Sequence, residues 1–329
     1  MDETGWISVH VHYHDPLDGL ITGAVRPLLA ELAADGLTGG HFFVRHWQGG
    51  PHLRLRIAPV SQDRAREVRA RLDRHVGAFL ARHPSRAVVE EADYLRIAEP
   101  LVGVERGQDA AEPLRPNNSV RDVPYEPELA RYGGTPGAMR AVERHFTASS
   151  ELVAELLAAG MSEAQRTGQA LAMMLAGAVV AADGVDGVAA YLTTGQRDWG
   201  RRLVFGDVTT GEDVFEAKYQ RQREHLTGLV ARLLDGGVAD RTGTAVGRWV
   251  ATTSELRDEL VRLRERGAFR SEDVLVTAAA DERYDTALAS VLLFCSHMHN
   301  NRLGVSLPEE SYLMYLLRRA VSEITGAAR

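Results

Sequence analysis

The chain has 329 residues, of which 45% are hydrophobic and 25% are charged, so it is long enough for one large domain or two packed lobes. A formal net charge of −7 argues against general nucleic-acid binding, which needs a concentrated basic excess. The single cysteine, Cys295, excludes an internal disulfide and a thiolate metal cluster. The longest apolar run, 170–182, is shorter than the ~20 residues of a membrane span, and the acidic N-terminus lacks a signal segment. These features predict a cytoplasmic protein that does not enter a membrane.

The first strand is predicted at 7–14, where apolar and polar residues alternate strictly. The alternation places His10, His12 and His14 on one face of that strand. Three imidazoles at this spacing suit a metal, but no nearby carboxylate or cysteine has a spacing that supports a metal site. A polar strand face that lines a cleft or solvent is therefore favoured, and no metal site is predicted.

A β-hairpin is predicted at 41–57, with a Gly-Gly-Pro turn at 49–51. Arg54 and Arg56 alternate with leucine and isoleucine along its second strand, and Arg45 comes from the first strand. Three arginines on one hairpin make a fixed cationic surface that suits an anion or a carboxylate. The polar outer face of an antiparallel sheet explains the same pattern equally well.

Helices are predicted at 17–34 and 61–83, and a further strand at 85–95. We expect Asp15 to cap the first of these helices and Gly36 to end it. The first hundred residues therefore follow the order β-α-β-β-α-β. This order predicts an α+β fold whose antiparallel sheet is ferredoxin-like.

The segment 100–136 is rich in proline and has little periodicity, which is typical of a linker or a functional loop. From residue 137 the chain is helical almost to its end, and a Gly-rich stretch at 183–213 is expected to line a pocket or a lobe boundary. The predicted lobes are a sheet lobe at 1–136 and a helical lobe at 137–329. Helices are predicted at 137–159, 162–183 (with a capping box of Ser162 and Gln165), 211–235, 243–267, 281–300 and 307–325.

Polar residues cluster where one predicted helix ends and the last one begins. His297 and Asn301 are four residues apart and share a helix face, whereas His299 lies about 200° from His297 around the helix. Ser306 opens a capping-box pattern, so capping alone explains it, and packing alone explains Tyr312. Burial of a cluster of His, Asn and Arg side chains costs free energy. A functional role and a structural role are therefore equally well supported for His297.

Three sequence blocks in order resemble a known family. The blocks are Phe42-Phe43-Val44-Arg45 through Arg54-Leu55-Arg56, then Tyr125-x-x-Glu128-x-x-Arg131-Tyr132-Gly133-Gly134, and finally His297-x-His299-x-Asn301-Arg302-Leu303-Gly304. With these blocks the chain is similar, over essentially its whole length, to the thiopeptide-type bacteriocin biosynthesis proteins, which are related to the C-terminal elimination domain of class I lanthipeptide dehydratases. This resemblance implies an elimination-domain-like fold, in which the two lobes form one unit.

The family contains two activities in separate proteins of this size. One is a lyase that eliminates glutamate from glutamylated Ser or Thr to leave a dehydroamino acid. The other is a pyridine synthase, which joins two dehydroalanines of a modified peptide by a formal [4+2] aza-cycloaddition, with loss of water and of the leader peptide. The resemblance associates elimination with Arg54, Arg56, Arg131 and His297, all of which are present. Ser306 and Tyr312, six residues apart, resemble a pair in the pyridine synthases and favour that activity.

The synthase hypothesis assigns Tyr312 as the general acid/base, with Ser306 and His297 as orienting or proton-relay groups. Arg45, Arg54, Arg56, Arg131 and Asn301 are then expected to bind the peptide. The partner is a ribosomally made precursor peptide that carries a leader and a core with azoles and dehydroalanines. Neither reaction needs a redox cofactor, and the sequence has no metal, nucleotide or flavin motif. A third hypothesis is a non-catalytic scaffold whose open sheet edge binds the precursor by β-strand addition.

Overall fold

The computed structural model describes residues 5–102, 110–202, 209–237, 243–270 and 285–326. It divides into two compact units, each built from two stretches of chain. Met1–Pro127 with Val153–Gly160 forms the first, which we call the sheet unit. Glu128–Leu152 with Met161–Arg329 forms the second, which we call the helical unit. The sheet lies in the first unit and most helices in the second, so the predicted α+β class is confirmed.

The sheet unit contains one antiparallel four-stranded sheet in the order β2-β3-β1-β4. Its strands are β1 (Ile7–His12), β2 (Thr38–His46), β3 (His52–Pro59) and β4 (Ser119–Asp122). Because two helical connections place β1 between β3 and β4, this is the ferredoxin-like order that the sequence predicts. The hairpin of β2 and β3 is the predicted one.

Side-chain alternation gives the sheet one apolar face, which packs against helices. The fully buried residues of this face are Val9, Val11, Phe43, Leu53, Leu55 and Ile57. The helices are α1 (Asp18–Leu20), a π-helical turn (Ile21–Val25), α2 (Arg26–Ala34) and α3 (Gln62–Arg82). Gly36 ends α2 as predicted, with φ of 62°. The predicted cap Asp15 is wrong, because its carboxylate instead accepts a hydrogen bond from the backbone N–H of Arg86 at 3.1 Å.

The strand predicted at 85–95 is wrong. Residues 85–90 have no regular structure and lead into α4 (Glu91–Val102). Val88, an apolar residue in the middle of this segment, is 82% exposed and does not face the core. The Asn117 side chain donates to the carbonyl oxygen of Ala87 at 3.1 Å, a bond to a side chain rather than to a strand. The fourth strand comes instead from β4, inside the segment predicted to be irregular, of which 103–109 lie outside the described residues.

The helical unit agrees with the predicted helices to within a few residues at most ends. They are α5 (Pro136–Ala158, whose last residues group with the sheet unit), α6 (Glu163–Ala181), α7 (Gly184–Arg202), α8 (Thr209–Arg232) with a π-helical turn (Leu233–Gly237), α9 (Ala245–Glu265), α10 (Thr286–Leu303) and α11 (Leu307–Ile324). The capping box of Ser162 and Gln165 is confirmed. Helix α7 occupies most of the Gly-rich stretch at 183–213, for which no helix is predicted. Residues 203–208 of that stretch lie outside the described residues, as do 281–284 of the predicted 281–300 helix.

Within the described ranges, none of the helices on its own has the length and apolarity to cross a membrane. Two sharply bent neighbours, Glu163–Ala181 and Gly184–Arg197, together reach the length and apolarity of a membrane span, by length and composition only. Their most apolar part, Ala170 to Ala178 in α6, is buried almost throughout.

The turn that precedes α5 depends on two glycines. Gly133 and Gly134 have φ of 95° and 71°, in the left-handed region that glycine adopts without steric cost. Gly134 also lies against the backbone of Arg270, where an added Cβ would overlap the carbonyl oxygen. The backbone N–H of Arg270 donates to the carbonyl of Gly133 at 2.8 Å, so the two segments are joined at this point. The Gly-Gly of the second sequence block is therefore a packing requirement.

We predict that Gly134→Ala destabilises the protein more than Gly160→Ala. Both glycines have φ near 70°, so alanine carries the same strain of roughly 1–2 kcal/mol at either position. An added Cβ at Gly160 meets nothing within 4 Å, whereas at Gly134 it displaces backbone, which adds about 1–3 kcal/mol. Urea denaturation of the two variants measures the difference. Equal losses would show that the Arg270 segment moves away freely.

Candidate functional site

The predicted catalytic residues of the helical unit lie around the turn between α10 and α11. Gly304 ends α10 in the left-handed conformation, with φ of 85°, and its N–H donates to the Asn301 carbonyl at 3.0 Å. Ser306 then caps α11. Its hydroxyl accepts from the Glu309 N–H at 3.4 Å and donates to the Glu309 carboxylate at 2.6 Å. The capping role predicted for Ser306 is confirmed, and its exposed hydroxyl remains at the surface of the turn.

His297 on α10 is oriented by a buried carboxylate on α11. Its Nδ1 lies 2.7 Å from Oε2 of Glu310, whose side chain is only 2% exposed. A carboxylate at this distance keeps the imidazole proton on Nδ1, so Nε2 is the basic nitrogen. Sequence reasoning missed Glu310, because it stands beside the capping Glu309 and nothing local distinguishes a buried glutamate from a capping one.

Tyr312 faces α8 and is held there by two side chains. The amide of Gln222 donates to the phenol oxygen at 2.9 Å, and the Lys218 ammonium lies 5.0 Å from the centre of the ring. The phenol oxygen accepts from Gln222, so the O–H group remains a donor for another partner. The ammonium attracts the ring through a cation–π interaction. Lys218 is the only lysine of the chain.

The two candidate proton-transfer groups lie on different sides of α11. Glu310 and Tyr312 are two residues apart, which is about 200° around a helix. His297, which bonds to Glu310, is therefore on the side away from Tyr312. Ser306 lies about 9 Å before Tyr312 along the helix axis, since each residue rises 1.5 Å. The structure thus places Ser306 and Tyr312 on α11 and His297 beside it on α10, and each of the three has a separate partner.

A row of charged and phenolic side chains fixes α8 against α11. The Glu216 carboxylate accepts from the Arg319 guanidinium at 2.8 and 2.9 Å and also bonds to the Tyr315 hydroxyl. Arg319 lowers the pKa of Glu216 to about 2, whereas burial and the Glu216 charge raise the pKa of Tyr315 to about 12. Glu216 therefore stays ionised and Tyr315 stays protonated at neutral pH. This row sets the position from which Gln222 and Lys218 contact Tyr312.

A cavity of about 320 Å³ lies beside the α10–α11 turn in the helical unit. Gly304, Val305 and Glu309, which flank Ser306, line one side, and Arg166 of α6 lines another. Residues on either side of Ser306 in the sequence thus line a space large enough for part of a small organic group.

His299 has a different environment from His297, as its place on the helix predicts. It is 1% exposed, its Nδ1 lies 2.9 Å from the Ser149 hydroxyl, and its ring packs on Trp249. Burial, together with the positive charge of Arg302, lowers the pKa of His299 to about 3. A neutral, enclosed imidazole of this kind holds α10 against its neighbours.

The other predicted binding residues of the helical unit are Arg131 and Asn301. Arg131 pairs with Glu128 at 2.5 Å, and its guanidinium lies 4.8 Å from the centre of the Phe294 ring on α10. The neighbouring Tyr132 is buried, with edge contacts to aromatic rings of α5 and α10. Arg131 and Tyr132 of the second sequence block are therefore packed against the helix that carries His297. Asn301 is half-buried one turn after His297.

In the sheet unit, the sheet face opposite α3 carries a cluster of imidazoles. His52 is at its centre, with the rings of His10 and His12 stacked at 4.7 Å and that of His46 at 5.3 Å. Burial lowers the pKa of His10 to about 2, of His52 to about 3 and of His12 to about 4. These imidazoles are therefore neutral at physiological pH. His52 Nδ1 lies 2.9 Å from the Gly50 carbonyl, so this nitrogen carries the proton.

Two of the predicted arginines belong to the same sheet face. Arg54 donates from Nε to Nε2 of His52 at 3.4 Å. Arg56 is 9% exposed, and its guanidinium lies 5.0 Å from the Tyr125 ring centre and 5.4 Å from that of Phe42. The positive charge of this face therefore comes from guanidiniums held among aromatic rings. Across the described residues, no group of three or more His, Cys, Asp or Glu side chains has an arrangement that holds a metal.

The prediction that Arg45 shares a surface with Arg54 and Arg56 is wrong. The register places Arg45 opposite Leu53, on the apolar face of the sheet, and Val44 opposite Arg54. Arg45 instead pairs with Asp18 of α1 at 2.6 Å. The sequence pattern shows which residues of one strand share a face, but the match between two strands depends on where the turn begins.

Comparisons with known proteins agree on the fold. A family model described as the C-terminal region of lantibiotic biosynthesis dehydratases matches residues 6–321. The solved structure of TbtD, the pyridine synthase from thiomuracin biosynthesis, superposes with a TM-score of 0.80 at 22% identity, over 98% of this chain and 99% of that one. TsrL gives 0.65 at 20% identity, over 98% and 95% of the two chains. The tRNA-dependent lantibiotic dehydratase MibB from Microbispora sp. 107891 gives 0.60 at 20% identity, over 99% of this chain but 28% of that one. Comparison with curated protein sequences finds no match.

We predict that His52 makes the protein less stable as the pH falls below about 6.5. The pKa of His52 is 6.5 when unperturbed and about 3 in the folded chain, so the unfolded chain binds more protons in this window and stability is lost as the pH falls. His52→Phe keeps a stacking ring but does not titrate. Its free energy of unfolding should fall less steeply between pH 7 and pH 5, by up to about 1.4 kcal/mol per pH unit.

Urea denaturation at both pH values measures this slope. Leu53→Ala is the control, because it destabilises the same strand through a fully buried apolar residue and should keep the wild-type slope. An unchanged slope in His52→Phe would contradict the prediction.

Proposed function

Because the chain belongs to the family of lantibiotic biosynthesis dehydratase C-terminal regions, we propose that it modifies a ribosomally made precursor peptide, as a pyridine synthase. The reaction is a formal [4+2] aza-cycloaddition between two dehydroalanines of the modified peptide. Loss of water and of the leader peptide then leaves the central six-membered nitrogen ring. The superposition with a pyridine synthase over nearly the full length of both chains supports this choice.

The observation that carries the proposal is the environment of Tyr312. A cycloaddition needs its two reacting residues held together, and orientation alone supplies roughly 7–11 kcal/mol. It also needs proton transfer, to set the amide tautomer and to expel water. A phenol whose oxygen accepts from Gln222 still has its O–H to donate to the departing hydroxyl, and Lys218 contacts the face of its ring. We assign Tyr312 as the general acid/base.

The remaining roles follow from the partners of each side chain. His297, with its proton held on Nδ1 by Glu310, offers Nε2 as a second proton-transfer position. Ser306, which stands between the cavity-lining residues Val305 and Glu309, orients the peptide at the N-terminus of α11. We assign Arg131 and Asn301, with the sheet-face guanidiniums Arg54 and Arg56, to peptide binding. Arg45 is left out, because its pair with Asp18 lies on the other face of the sheet.

The proposal is tested with a leader-bearing peptide that contains azoles and two dehydroalanines. The purified chain should release the leader peptide and remove one water, and both changes are read by mass spectrometry. A peptide that is bound but unchanged would contradict the synthase assignment.

We predict that Tyr312→Phe lowers the turnover of this peptide roughly 10²–10⁴-fold, the usual contribution of general acid–base catalysis, while peptide affinity is kept. Tyr315→Phe is the matched control, because it removes a phenol one turn away whose hydroxyl bonds to Glu216. Single-turnover rates and fluorescence anisotropy separate the two effects. Equal losses in both variants would show that Tyr312 acts through the packing of α11 alone.

We predict that the capping and chemical roles of Ser306 separate in two substitutions. Asparagine caps a helix as well as serine does but has no hydroxyl, whereas threonine keeps the hydroxyl. Ser306→Asn should therefore keep the thermal midpoint and lose turnover, and Ser306→Thr should keep both. Full turnover in Ser306→Asn would leave capping as the whole role of this residue.

A second candidate is the glutamate-elimination lyase, favoured by the guanidiniums of Arg54 and Arg56 among neutral imidazoles. Fixed cations suit a leaving glutamate, and His297 Nε2 suits removal of the α-proton. A peptide with glutamylated serine distinguishes this activity, since a lyase releases glutamate from it and a synthase does not. If both peptides bind and neither changes, the chain is a scaffold, and Tyr312→Phe leaves the output of the pathway unaltered.

A further inference from the structure

Among the described residues, β4 forms an edge of the sheet and pairs only with β1. The N–H of Val123 donates to the Ser8 carbonyl at 3.3 Å, so the backbone groups of 119, 121 and 123 point toward β1. The N–H and C=O groups of Val120 and Asp122 point the other way. Among the described residues, no backbone group pairs with them on that side. Val120 is also 36% exposed, although it is a large apolar residue.

A groove of about 420 Å³ lies between α3 and the C-terminal end of β4 within the sheet unit. Residues at the start of β1 and after the end of β4 form its apolar part, and α3 forms its other wall. The lining includes Trp6, Ile7, Ala65, Val123 and Pro124, together with Arg66 and the paired side chains of Arg69 and Asp122. An added strand would therefore have an apolar surface for its alternate side chains as well as backbone partners.

The charge beside the edge is positive, although the chain carries a net charge of −7. Arg66 in the groove is exposed, and Arg121 of β4 points to the opposite face of the sheet. Neither makes an ion pair with any residue that the structure describes. The nearby carboxylate of Asp122 is already paired with Arg69. Carboxylates placed beside Arg66 and Arg121 would complete the charge balance on both faces of an added strand.

We propose that the outer edge of β4 and the groove beside α3 bind an extended acidic segment of the peptide substrate, by β-strand addition. This inference rests on the proposed peptide substrate. Backbone bonds to Val120 and Asp122 give the register, the apolar groove takes alternate side chains, and the two arginines select acidic residues. The edge is short, so docking is expected to be reversible and sensitive to salt.

The test uses the full chain and a short fluorescein-labelled peptide of glutamate and valine, followed by anisotropy. The peptide should bind, binding should weaken as salt is raised, and the same peptide with glutamine for glutamate should bind less. Two versions of the peptide are N-methylated at alternate amides. Binding should be lost when the methylated amides are those that face β4, and kept when they are those that face away. If both methylated peptides still bind, strand addition is overturned.

Two pairs of variants locate the site on the protein. Val120→Pro removes an outward donor without touching the β1–β4 bonds, and should weaken binding roughly five- to tenfold, whereas Val120→Thr keeps the donor and the affinity. Arg66→Glu should weaken binding and reduce its salt dependence. Arg82→Glu makes the same charge change at the far end of α3 and should have no effect. Equal behaviour within either pair would overturn the proposed surface.

Failure of this inference is distinguishable from failure of the proposed function. If the chain converts the dehydroalanine peptide and Val120→Pro leaves KM and kcat unchanged, the synthase stands and the β4 surface is wrong. If conversion fails but the acidic peptide binds in a Val120→Pro-sensitive way, the surface stands as the peptide-binding edge of a scaffold or a lyase.

Discussion

The position of α11 determines where each candidate proton-transfer group of the helical unit lies. This helix carries Tyr312, supplies the carboxylate of Glu310 that orients His297, and begins at Ser306. Its polar contacts include the His297–Glu310 pair with α10 on one side and the Glu216–Arg319 pair with α8 on the other. A shift of α11 by a fraction of a turn would disturb all three side chains together. The polar contacts at its two sides are therefore as important for the site as the residues that would touch a substrate.

In the sheet unit, the equivalent constraint is the period of two along β3. Leu53, Leu55 and Ile57 enter the core, and the same backbone must then present Arg54 and Arg56 on the opposite face. Burial of the neighbouring imidazoles keeps them neutral, so they support the guanidiniums without adding charge repulsion. The core and the cationic surface thus result from one pattern.

Local features of the fold were predictable from the sequence, and non-local ones were not. The hairpin, the capping boxes of Ser162 and Ser306 and the stop at Gly36 depend on residues only a few positions apart. The fourth strand was placed wrongly, because side chains of Asn117 and Asn118 bond to the backbone near Ser85 and displace any strand there. The partners Glu310, Gln222 and Lys218 have no motif of their own. They become visible only when α8 and α10 are packed on α11.

The separation of Tyr312 from His297 bears on the choice between the two reactions. The groups lie about 200° apart around α11 and bond to different partners, so a proton does not pass directly from one to the other. Two independent positions suit a reaction that first sets an amide tautomer and later expels water, because each step then has its own proton donor or acceptor. An elimination that removes one α-proton needs one well-placed base, and His297 with Glu310 already provides it. Elimination gives no role to Tyr312, although Gln222 and the only lysine of the chain, Lys218, fix its position. Cycloaddition gives Tyr312 a role as a proton donor.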